Sequence, residues 1–171
     1  NSHTNCTLHL FSVFSKMRGI VMARRVFFSF HYERDVWRAS QVRNSWITQD
    51  REAAGFWDAA SWEEVKKKGK EAVEKWINKQ LEGTSVTIVL IGYETSAREY
   101  VGYEIKQSHN LGKGMIGVYI HNKKDQNGRT DLKGTNPFDN FYIEEAGQRK
   151  YLSQIYPTYD WVNNDGYENM G

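Results

Sequence analysis

A chain of 171 residues, 39% of them hydrophobic, has the length and apolar content of one domain with a single core. Its net charge of +2, with both signs spread along the chain, argues against a dedicated nucleic-acid binder, which carries a basic patch or stripe. The single cysteine, Cys6, allows no intrachain disulfide, no Cys/His cluster suggests a metal site, and no apolar run approaches the ~20 residues of a membrane helix, so a reducing, cytoplasmic setting fits.

Asn1 to Val21 reads as an added or upstream-translated N-terminal extension, because Met22-Ala23-Arg24-Arg25 before a strong strand resembles a native start. Residues 22–171 then form the domain. Leu8 to Val13 is too short and interrupted for a signal peptide. Val26-Phe27-Phe28-Ser29-Phe30 is the first strand. A polar cluster follows, with Asp35 as N-cap of a helix to about Trp46. Gly55-Phe56-Trp57-Asp58 reads as a brief second strand. Ser61 and Glu64 have capping-box spacing, and Trp62, Val65, Gly69, Ala72 and Trp76 recur at threes and fours. That pattern predicts one amphipathic helix of about five turns, closed by Gly83.

Thr84 to Gly92 is an uncharged run of β-branched and aliphatic residues, the mark of a strand covered on both faces. Ser96 and Glu99 form a second capping box, opening a helix to Asn110. Val101 and Ile105 face the sheet, with Tyr100 and Glu104 on the adjoining edge. One carboxylate therefore stands at the rim of the core, with Tyr100 and Tyr103 around it. Met115 to Ile120 is another strand, followed by a polar loop from Asn122 to about Asn140. Tyr151-Leu152-Ser153 reads as an edge strand and Asp160-Trp161-Val162 as the start of a final helix.

Strands alternating with helices predict an α/β, flavodoxin-like parallel sheet of four to five strands with helices on both faces. In such sheets the site lies beyond the carboxyl ends of the strands, where the strand order reverses. Ser29 to Tyr32, the residues after Trp57 and the Gly92–Ser96 loop would line it. Glu104 would lean toward that crevice, since helical side chains tilt toward the N-terminus.

Arg25-Val26-Phe27-Phe28-Ser29-Phe30-His31-Tyr32 closely resembles the opening strand of the ThsB family, the TIR-like proteins of the Thoeris anti-phage system. The likeness continues through Val42–Trp46, Ala53–Ala59, Thr84–Gly92, Tyr103-Glu104-Ile105, Gly134–Asp139 and Tyr159–Tyr167. It implies a TIR-like fold and an enzyme that converts NAD to a cyclic ADP-ribose isomer and releases nicotinamide after phage infection. The product would activate an effector protein of the same operon. By this resemblance Glu104 stands at the catalytic glutamate, and Tyr100 stands where many TIR enzymes carry Trp. NAD is then the substrate, with no cofactor and no metal.

By residue type alone, a solvated helix glutamate is the favoured reading of Glu104, since most acids at the rim of a core are structural. Phe30, His31 and Tyr32 could stack on a ring or bond phosphates, or pack and hydrogen-bond structurally. Arg43 suits a pyrophosphate or an ion pair. Asp58 suits a ribose hydroxyl or a turn, and Trp57, Tyr100 and Tyr103 a pocket wall or the core. No GxGxxG or GxxxxGK[ST] loop occurs, which excludes a Rossmann dehydrogenase and a P-loop NTPase. A catalytically silent TIR-like interaction module is the alternative reading, and homo-oligomerisation is left open by either.

Overall fold

The computed structural model describes residues 25–47, 53–54 and 59–169. The strands are β1 (Val26–Ser29), β2 (Ala53–Ala54), β3 (Val86–Ile91), β4 (Gly114–Tyr119), β5 (Tyr142–Glu145), β6 (Gln148–Tyr151) and β7 (Thr158–Asp160). The helices are α1 (Tyr32–Ile47), α2 (Ala59–Lys67), α3 (Lys70–Leu81), α4 (Glu99–Asn110) and the short α5 (Gly166–Asn169). Five strands form one sheet in the order β2-β1-β3-β4-β7, and every neighbouring pair is parallel. The α/β expectation holds, with the strand order reversing between β1 and β3.

Alternation along the central strands sorts the core into two faces. Phe28, Phe30, Ile88 and Leu90 pack with Ala39 and Val42 of α1. Val89 and Ile91 pack with Val101 and Ile105 of α4, and Phe27 packs with Val73, Ile77 and Leu81 of α3. Each fully buried Val, Leu, Ile or Phe among them contributes about 1.5–3 kcal/mol of transfer free energy. The uncharged β3 run is thus covered on both faces, as its composition predicts.

Several local expectations are corrected. The single helix expected from Trp62 to Leu81 is two helices, broken at Gly69, whose φ of 95° lies outside any right-handed helix. The amides of Lys68 and Gly69 close tight turns onto the carbonyls of Val65 and Lys66 at 3.0 and 3.1 Å. The apolar spacing runs through the break because both helices pack on one cluster. Ser61 accordingly lies inside α2 and not at its N-cap position. Asp35 is not an N-cap: the helix opens at Tyr32, and the Asp35 amide already bonds the His31 carbonyl at 2.9 Å.

The second capping box is also absent. A 3-10 turn at Thr95–Ala97 precedes α4, with Arg98 extended between them. The Ser96 hydroxyl pairs with that of Thr135 at 2.5 Å, and Glu99 accepts from Lys70 at 2.5 Å. Tertiary partners displaced the local ones. Tyr151 closes a separate antiparallel hairpin, β5–β6, instead of an edge of the main sheet. The main edge is β7, in a segment read from sequence as leading into a helix. There the Asp160 carboxylate accepts from the amides of Val162 and Asn163, and helix forms only at Gly166–Asn169. The extension at residues 1–21 and the strand expected at Gly55–Asp58 lie outside the described residues.

Candidate active site

β1 and α4 together place one acid. Ser29 is the last residue of β1 and shares its face with Phe27, so it points at α4 and away from α1. Val101, Ile105 and Ser108 turn the buried side of α4 toward the sheet, and Glu104 lies on that side, 5% exposed. The Ser29 hydroxyl donates to Glu104 Oε2 at 2.5 Å across 75 residues of sequence. Burial pushes the Glu104 carboxyl up to about 8, against the opposing effect of the Ser29 hydrogen bond. A charge-assisted O–H···O⁻ bond of that length is short and strong.

Aromatic rings close the region around this helix. Trp62 of α2 is their hub, with Tyr100 edge-on at 5.6 Å, Trp76 at 5.9 Å and Tyr32 at 6.5 Å between centroids. Phe30 stands 6.1 Å from Tyr32. Tyr100 is one helical turn before Glu104, so the ring cluster and the acid share one side of α4. Tyr32 and Tyr100 are thereby brought to the side of the sheet that carries Glu104, whereas Phe30, though beside Tyr32, packs on the opposite face with Ala39 and Val42 of α1.

Tyr103 bonds the Asn78 side chain at 2.9 Å. With Tyr100, Lys70, Arg98, Lys106 and Phe141 it lines a cleft of about 510 Å³ over the first turns of α4. Glu104 is not among the residues lining it. His31 faces Glu33 at 3.5 Å and Glu94 at 3.9 Å. Burial, then the nearby Arg98, pull its pKa below the ordinary value, which favours the neutral imidazole. Arg43 sits eleven residues beyond Tyr32 on α1, about 16 Å along the axis. The structure does not bring it to Glu104. Trp57 and Asp58 lie outside the described residues.

Sequence reasoning placed Ser29 only on a crevice wall and missed its bond to Glu104. One signal was available: a hydroxyl between Phe28 and Phe30, at an inward position of a buried strand. The crevice itself differs from expectation. The Asp35 carboxyl lies over Gly92, and Gly134 packs on the Gly92 carbonyl, so the chain itself occupies the space above the end of β3.

Among the described residues, no group of three His, Cys, Asp or Glu side chains is placed to hold a metal ion. No described helix is long and apolar enough to cross a membrane.

Comparison with known proteins agrees with the fold. Residues 27–125 match the family described as Thoeris protein ThsB, TIR-like domain. A curated Bacillus cereus (strain MSX-D12) protein, named "Putative cyclic ADP-D-ribose synthase ThsB1", is 38% identical over 187 aligned positions, covering 87% of this chain and 97% of its own length. With a parallel sheet reversing between β1 and β3 and a likeness extending over most of its length, the chain belongs to the ThsB family of Thoeris TIR-like proteins.

Proposed function

We propose that this protein is an NAD-consuming cyclase of bacterial anti-phage defence, with Glu104 as its catalytic carboxylate. The observation that carries the reading is the Glu104 side chain itself: buried, raised in pKa, held by Ser29 and set one turn from a cluster of rings. Strongly perturbed acids of this kind concentrate at functional sites. The printed name of the Bacillus cereus relative, a cyclic ADP-D-ribose synthase, supports the same chemistry.

Cleavage of the nicotinamide–ribose bond builds positive charge on the sugar. The leaving group is a cationic pyridinium, so no general acid is needed to expel it. An ionised Glu104 stabilises the developing cation electrostatically, most strongly where water is excluded. With its pKa raised to about 8, much of Glu104 is protonated at neutral pH before substrate arrives. The positive nicotinamide riboside then favours the ionised form. A hydroxyl of the adenosine half closes the ring if it reaches the cation before water does. NAD is substrate and not cofactor. The protein works in the cytoplasm, a phage-derived trigger starts it, and the cyclic product activates the partner effector.

The near-complete burial of Glu104, and its absence from the lining of the adjacent cleft, favour a second reading: a silent TIR-like interaction module. One experiment separates the two. The protein is incubated with NAD, alone and with lysate from phage-infected cells, and nucleotides are read by mass spectrometry. A product of ADP-ribose mass less one water, lost in Glu104→Gln, supports the cyclase. Silence under both conditions, or full activity in Glu104→Gln, overturns it.

A further inference from the structure

We propose that Ser29 is a positioning residue for Glu104: its hydroxyl fixes Oε2 and leaves Oε1 as the oxygen presented to the ribose. This rests on the reading of Glu104 as the catalytic acid. The geometry comes from two polar pairs set into the sheet–helix interface. Thr87 and Ser108 join β3 to α4 through their hydroxyls at 2.7 Å, and one turn earlier Ser29 joins β1 to Glu104 at 2.5 Å. Phe27 of β1 pairs in register with Thr87, and Ser29 with Val89, so both pairs stand on one face of the sheet.

The two pairs differ in one respect. Thr87 and Ser108 are neutral and fully buried, and they hold sheet to helix without any charge. A second neutral pair would serve equally well at Ser29. An acid there adds a desolvation cost that fastening does not require. Its use is its charge, and a charge that must meet one sugar needs a fixed direction. Ser29 supplies that direction from a strand, the more rigid support. It also stabilises the ionised form, because its O–H bonds a carboxylate more strongly than a neutral acid.

The surroundings leave Ser29 as the chief polar influence. Burial and the Ser29 bond are the two causes of the Glu104 shift, with no charged side chain contributing. The titratable groups facing this region are the phenols of Tyr32 from α1 and of Tyr100 and Tyr103 from α4 itself. On α3, Lys70 pairs with Glu99 and Glu74. Lys66 of α2 lies over Trp62 and pairs with Glu33, and His31 faces Glu33 and Glu94.

The test follows the Glu104 carboxyl carbon by NMR in protein labelled at glutamate, its signal assigned by its loss in Glu104→Gln. Ser29→Ala is expected to raise the titration midpoint by about one pH unit or more. At pH 7 such a shift lowers the ionised fraction, and with it kcat/KM for NAD, about tenfold. The rate should recover at higher pH, and Ser29→Thr, which keeps the hydroxyl, should restore both midpoint and rate. An unmoved midpoint in Ser29→Ala overturns the proposal, as does a loss of rate equal at every pH. If the wild-type protein leaves NAD intact while the midpoint still moves, Ser29 governs Glu104 as proposed and only the catalytic reading falls.

Discussion

Asp35 and Gly92 meet over the gap between β1 and β3: the Asp35 carboxyl fills the space that a Cβ at residue 92 would need. Both partners sit in close-packed, buried surroundings. Asp35 is fully buried with Arg38 3.6 Å away, and the Gly92 amide donates to Thr95 Oγ1 at 2.9 Å. Gly92→Ala should therefore cost about 1–3 kcal/mol by overpacking. In an Asp35→Ala background the same substitution should cost less, the difference measuring the pair's coupling. Urea denaturation of the four proteins checks this, and equal costs in both backgrounds would sink it.

Glu104 and Asp35 make stability depend on pH. Burial raises Glu104 from 4.5 to about 8 and Asp35 from 3.8 to about 6. Between the unfolded and folded values the native chain binds more protons than the unfolded one, so stability falls as pH rises. The slope reaches about 1.4 kcal/mol per pH unit for each group. Asp35 acts up to about pH 6 and Glu104 up to about pH 8. Asp131, held below its ordinary value by the Arg34 hydrogen bond, acts with opposite sign but only in more acid solution. Glu104→Gln should flatten the decline between about pH 5 and about pH 8. Denaturation midpoints of wild type and variant that run parallel over that range would contradict the assignment.

Arg38 ties the long loop after β4 to α1. It is 4% exposed, donates to the carbonyls of Lys123 and Arg129 at 2.9 and 3.0 Å, and stands near Asp35, Asp125 and Asp131. Arg38→Ala would strand a buried Asp35 and should cost about 3–5 kcal/mol. Arg38→Lys should rescue little, because one ammonium cannot replace a planar fork that serves two carbonyls. Thermal melts give the cost, and amide exchange should quicken across residues 123–131 in both variants.

Trp62 is the ring that Tyr32, Trp76 and Tyr100 share. Trp62→Ala should cost about 3–5 kcal/mol through the cavity it leaves. Trp62→Phe should retain most of the stability while raising KM for NAD, if the cluster walls the site. A Phe variant with an unchanged KM would assign the rings to the core alone.

Much of the architecture was readable because it rests on periodicity. The Thr84–Gly92 run and the Val101–Ile105 spacing sufficed to place a covered parallel strand beside a helix with Glu104 at its buried margin. The errors came where a local rule had a distant competitor. Ser96 and Glu99 had the spacing of a capping box, but Thr135 and Lys70 took them. The hairpin strands β5 and β6 lie largely exposed and polar, so they lack the alternation that identifies a half-buried strand. In Thr158–Asp160, three residues at a sheet edge show too little pattern to register.

The order of residues by itself determined which segments could bury apolar surface and with what period, and so the alternating fold and the helix that carries Glu104. Only the tertiary structure decided that Ser29 reaches that acid, that Trp62 gathers the rings beside it, and that Asp35 lies over Gly92. Side-chain periodicity is a property of neighbours three or four positions apart, whereas the pKa of a carboxyl is set by what surrounds it in space. For Glu104 that means the removal of water and one hydroxyl 75 residues away.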